Sequence, residues 1–174
     1  MDIFQLVSER IDMRSFSNLW YWIGLAVYWS SASHWILGVP FDLIQRARNE
    51  EGQAEHDMRV MIEVNCNRLT NIMEKSGTVM TGLTFFVVSG LGVLGFYYWV
   101  EFAQAVFFLV LPSALIGALS INFANRIKKS EISALSMFLM LKRLRFYIQL
   151  IGIIFILITG MFGMFQNLTI GALS

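Results

Sequence analysis

Between Lys75 and Arg126 lie 50 residues with one formal charge, Glu101, which divides them into apolar stretches of 25 and 24 residues. A bilayer core of ~30 Å is crossed by about 20 helical residues, so each stretch is long enough for one span. Tyr97, Tyr98 and Trp99 stand beside Glu101, as amphipathic aromatics do at a headgroup boundary. The pattern predicts a transmembrane helical hairpin with a tight turn near residues 99–102.

The same criterion finds two more windows. Residues 15–41 contain no formal charge, nor do residues 146–174. Charged residues make up only 14% of the chain, against ~25% in soluble domains. The expected fold is therefore all-α: a polytopic membrane protein of four transmembrane helices, with a helical cytoplasmic loop and short amphipathic interfacial helices. One membrane domain covers 1–174. It divides into an outer arm (1–17), a first span (18–39), a cytoplasmic helical loop (40–76), a second span (77–98), a third (102–123), a basic loop (124–145), a fourth span (146–166) and an outer tail (167–174).

Orientation follows from the basic residues. Five lie in the loop after the first span, six in the loop after the third and two in the N-terminal arm. The positive-inside rule places both loops in the cytoplasm and both termini outside. Ser31-Ala32-Ser33 imitates a signal-peptide cleavage site, but cleavage there would invert the charge rule at both loops, so it is read as part of the span.

Residues 2–13 alternate apolar and polar side chains at helical spacing and read as an interfacial helix. In the first span Trp29 falls near mid-bilayer, where its indole N–H needs a partner. Gly24, Ser31 and Gly38 recur every seven residues with His34 on the same side, a face on which another helix backbone can approach. The following loop carries an apolar stripe, Met58, Met61, Ile62, Leu69, Ile72 and Met73. That stripe must bury against a second copy, a partner, or the 41–49 helix folded back across Gly52. Gly82 and Gly92 are the packing candidates of the second span, and Pro112 should kink the third. After it, residues 130–141 read as a separate helix resting on the inner leaflet. Lys128, Lys129, Lys142, Arg143 and Arg145 flank that helix and are placed to attract anionic headgroups. The fourth span presents Gln149, Gly152, Thr159, Gly163 and Gln166 at steps of three and four, an inward face.

Chemistry-bearing patterns are few. Gly90-Leu-Gly-Val-Leu-Gly95 spells the dinucleotide fingerprint, but it sits inside a predicted span, without the preceding strand that motif requires. It reads as helix packing. His34 is the one histidine in a span, so a bis-histidyl haem site within one chain is excluded. It is the candidate for a single pigment ligand, against the plainer reading of an inter-helix hydrogen bond. Cys66 lacks a second thiol for a disulfide or a metal. No catalytic triad, carboxylate pair or phosphate loop is present, and the basic loop is too apolar for a nucleic-acid surface. The expectation is a protein without catalytic residues, cofactor or metal.

Ile11-Asp-Met-Arg-Ser-Phe-Ser-Asn-Leu-Trp-Tyr-Trp22 and Ser30-Ser-Ala-Ser-His-Trp-Ile-Leu-Gly-Val-Pro-Phe-Asp42 resemble a family of small alphaproteobacterial membrane proteins labelled "component of SufBCD complex". The resemblance is carried by residues 1–50 and implies a bacterial inner membrane. The order of spans and loops is also similar to the layout of the TolQ/ExbB proton-channel family. Three functions follow as expectations. The first is a non-catalytic accessory or assembly subunit of a larger inner-membrane complex, whose partners are the lipid bilayer and other membrane subunits or copies of itself. The second is a homo-oligomeric channel or energy-transducing subunit, and the third is a pigment carrier resting on His34.

Overall fold

The computed structural model describes residues 19–49, 52–129 and 133–171; the 2–13 helix expected from the sequence lies outside them. Helix α1 (Leu19–His34) leads into a two-stranded hairpin, β1 (Trp35–Ile36) and β2 (Val39–Pro40), then α2 (Phe41–Asn49). Helix α3 (Gln53–Gly92) continues through a π-helical turn (Val93–Tyr97). Helices α4 (Glu101–Lys129) and α5 (Ala134–Gly171) complete the described chain.

Three helices are long and apolar enough to cross a membrane: Gln53–Tyr97, Glu101–Lys129 and Leu135–Gln166. Helix α3 has 40 residues and spans ~60 Å, twice the thickness of a bilayer core. Its first half must therefore project beyond the apolar region, as its charges require. A sharp bend at Tyr98–Val100 joins it to α4. Trp99 there adopts φ 56°, the left-handed conformation that ends many helices and usually falls to glycine.

The first window differs from its expected outline. Its described helix ends at His34 after 16 residues, ~24 Å of rise, and residues 35–39 do not continue it. Trp35 pairs with Pro40 and Ile36 with Val39, antiparallel. Leu37 (φ 51°) and Gly38 (φ 74°) make the turn, both left-handed as a type I′ hairpin demands. Pro40 disfavours helical backbone at Val39, which explains why the helix does not run through to α2. Gly38 is thus a turn residue, not the third member of a helix face with Gly24 and Ser31.

The second departure is at residues 130–141. No separate interfacial helix is present among the described residues: α5 starts at Ala134 and runs unbroken for 38 residues. Nothing between Ala134 and Gly171 breaks a helix by itself, since the segment holds no proline. Phe138 and Leu141, expected at the inner leaflet, are buried in the core, while Leu135 and Leu139 stay exposed.

The main core lies at the charged end. Ile36, Val39 and Ile44 pack with Met58, Ile62 and Cys66 of α3, Phe123, Ala124 and Ile127 of α4, and Leu141, Leu144 and Ile148 of α5. The α2 helix does fold back onto α3, the third of the three occupants considered for its stripe. The buried row is Met58, Ile62, Cys66 and Thr70, a four-residue ridge that slants around the helix. Met61 and Ile72, placed on the same stripe by sequence, are left exposed for that reason. Two arginines finish this core: Arg145 lies 3.6 Å from the centroid of the Phe41 ring and Arg48 lies 4.9 Å from that of Phe138. Both distances are in cation–π range.

Candidate functional site

Near the Tyr98–Val100 bend the apolar helices are tied by a buried amide relay. Gln104 of α4 has no exposed surface. Its Nε2 donates to the carbonyl of Gly95 at 2.7 Å, and its Oε1 accepts from Gln166 Nε2 of α5 at 2.7 Å. The direction is forced: a carbonyl can only accept, so Gln104 must turn its NH2 to Gly95 and its oxygen to Gln166. Gly95 makes the contact possible. A Cβ there would stand 3.0 Å from Gln104 Cγ and 3.1 Å from Gln104 N, part of it rigid backbone. In the same region Phe96 makes edge-on contacts with Phe107, Phe108 and Phe162. The relay is fully satisfied and joins α3, α4 and α5 at one level.

Helix α1 is keyed to the same bundle lower down. Tyr21 Oη donates to the carbonyl of Ala105 at 3.3 Å, and the Tyr28 and Ser113 hydroxyls share a short hydrogen bond. Ser113 also donates to the Leu109 carbonyl, beside the buried Pro112. Trp29 lies against Gly152, where a Cβ would come within 2.8 Å of Trp29 Cε3. The indole of Trp29 is 7% exposed, yet its Nε1 has no hydrogen-bond acceptor. The partner expected for this indole is not supplied by the described chain.

The remaining residues singled out by sequence fall into distinct settings. Thr159 is buried and its hydroxyl donates to its own helix at Phe155; Gly163 is buried as well. A Cβ at Gly92 would meet Phe107 at 3.6 Å, ordinary contact. Gly24 and Gly82 have nothing within 4 Å of an added Cβ, and Ser31 is exposed. Gln149 is exposed in a groove of about 420 Å³ between α1 and α5, with Trp29, Ser30, Ser33 and Gly152. His34 Nε2 is 3.8 Å from Asp42 Oδ1, both side chains more than half exposed, so its partner is the start of α2. Lys128 Nζ donates to Thr70 Oγ1 at 3.3 Å and lies 3.8 Å from Glu74 Oε1, bridging α4 to α3. Lys129, Lys142 and Arg143 point to the exterior. Among the described residues no group of three His, Cys, Asp or Glu is placed to hold a metal.

Sequence reasoning missed Gln104, and a signal for it existed. Gln104 is the one uncharged polar side chain between Phe102 and Leu111, nine residues after Gly95, a spacing a tight helical hairpin brings together. The Trp29–Gly152 contact joins two residues that were each noted and not paired. Comparison with known proteins found no matching family model, no matching curated protein and no matching solved structure.

Proposed function

We propose that the protein is a non-catalytic accessory or assembly subunit of a larger complex in a bacterial inner membrane. In this reading the first span contains α1, and α3 with the π-turn, α4 and α5 supply the other three, with both charged loops in the cytoplasm and both termini outside. The observation that carries the reading is the unequal burial of the apolar helices. Only 6% of the most apolar window of α3 is buried, against 17% for α4 and 22% for α5. Along it Gly82 and Gly90 stand open, while Val79, Phe85 and Phe86 are each more than 70% exposed. Helix association in lipid depends on close fit and buried polar contacts. Helix α3 makes its own polar ties at Asn65 and Thr70 and leaves Gly82 and Gly90 open to a neighbouring helix.

Leu at Gly82 tests this directly. The site is open, so the variant should insert and keep its own stability, while association at that face is overpacked by about 1–3 kcal/mol. Partner binding should then fall about five- to 150-fold, read as the loss of co-eluting subunits after mild-detergent purification and mass spectrometry. Gly152→Leu is the contrasting variant: it collides with Trp29 and should weaken the fold itself. A Gly82→Leu protein that co-purifies with undiminished partners sinks the role of α3. Should Gly82→Leu instead abolish a homo-oligomer and a liposome conductance, the channel reading replaces the accessory one.

A further inference from the structure

The groove between α1 and α5 has a direction built into it. On α5, Lys142, Arg145, Gln149, Gly152 and Ile156 follow at steps of three and four and so share one helix face. Below the groove lining, on the same face, Lys142 is exposed and makes no ion pair with a described residue. Arg145 is stacked on Phe41 with its Nε buried and without an acceptor. One turn higher the groove is lined by the exposed Gln149 amide, which no described residue engages, and by the exposed Ser30; Trp29 lines it as well, with its indole Nε1 buried and without an acceptor. Above them the walls are Gly152, Ile153 and Ile156. From Arg145 to Ile156 the helix rises ~16 Å, close to the depth of one leaflet of a ~30 Å core.

We propose that this groove holds one anionic phospholipid of the cytoplasmic leaflet. Cations, then hydrogen-bond donors, then aliphatic walls match the phosphate, the ester carbonyls and an acyl chain in the order a glycerophospholipid presents them. Charge selects the anionic class: Lys142, Arg143 and Arg145 fall within one turn, and α5 contains no acidic residue between Ala134 and Gly171. No acidic residue lines the groove among the described residues. Gly152 sets the depth, because any side chain there would meet Trp29. The inference rests on the membrane reading and adds a defined, stoichiometric lipid to it.

Native mass spectrometry of the full chain, released from vesicles of phosphatidylglycerol or of phosphatidylcholine, is the test. The wild type should retain one phosphatidylglycerol per chain and no phosphatidylcholine. Lys142→Gln should weaken retention roughly fivefold, and Gln149→Leu about two- to tenfold through a lost hydrogen bond. Both positions are exposed, and an unchanged gel-filtration profile will show that each variant is folded; one folded variant is enough to read the result. Equal retention of the two lipids, or retention unchanged in the variants, overturns the site and leaves ordinary annular lipid. A dimer carrying no lipid overturns it in favour of a second copy seated in the groove. If the membrane reading itself fails, the protein will leave the vesicles in alkaline carbonate, whereas a failure confined to the lipid site leaves it embedded.

Discussion

Two kinds of buried polar residue make opposite demands. Gln104 is satisfied on both sides, so removing it orphans the Gly95 carbonyl and the Gln166 amide at once. Gln104→Leu should cost about 1–3 kcal/mol in an unfolding titration in detergent. Adding Gln166→Leu should return part of that loss, because the second orphan disappears with it; two penalties that simply add would show the amides to be uncoupled. Cys66 is the reverse case, a thiol with no chemistry to perform. It is buried between α3 and its neighbours, and burial pushes its pKa from 9.0 up to about 11. The folded protein therefore holds the proton that the unfolded chain releases, so this contribution to stability is complete below pH 9 and fades between pH 9 and 11. At neutral pH the native thiol should resist maleimide and react once the protein is unfolded. Fast labelling of the native state would contradict the burial.

At the scale of elements, charge-free length was the legible signal. It located the helical hairpin around Glu101, because a bilayer measures helix length and a turn there must leave the apolar region. The expected inward face of α5 is buried at Gly152, Thr159 and Gly163 but not at Gln149, which lies exposed, because residue spacing fixes a helix face and not the point where a neighbouring helix begins to cover it. Turn chemistry was the illegible part. Nothing in the spacing of Gly24, Ser31 and Gly38 reveals that the helix stops at His34; the Leu37–Gly38 turn and Pro40 decide it. The unbroken α5 was missed for a related reason: a change from charged to apolar composition looks like a boundary, yet a helix backbone is indifferent to it. The hairpin yields its own prediction. Gly38→Ala places a Cβ at φ 74° and 3.0 Å from Asn65 Nδ2, and it disturbs the bond Asn65 makes to the Gly38 carbonyl. We expect a loss of about 1–2 kcal/mol as a lowered thermal midpoint in detergent. A midpoint equal to that of the wild type would mean that the hairpin can rearrange freely.

For the whole molecule the proposed orientation is directly testable, because its own cysteine is buried. Cysteines placed at Asp2 or Ser174 should be labelled on whole cells by an impermeant reagent, and those at Gln53 or Ser130 should not; outside labelling of Gln53 would reverse the topology. Whichever way it faces, α3 is one stiff rod from Gln53 to Gly92, gripped at its lower half by the core and tied at its upper end to α4 through Gly95 and Gln104. Such a rod is a lever. A tilt of only ~10° about the gripped end would move the far end about 10 Å over a ~60 Å arm, and α4 would have to follow through the Gly95–Gln104 bond. The α2–α3 contact at one end and the Gln104 relay at the other are therefore mechanically joined through a single rigid element.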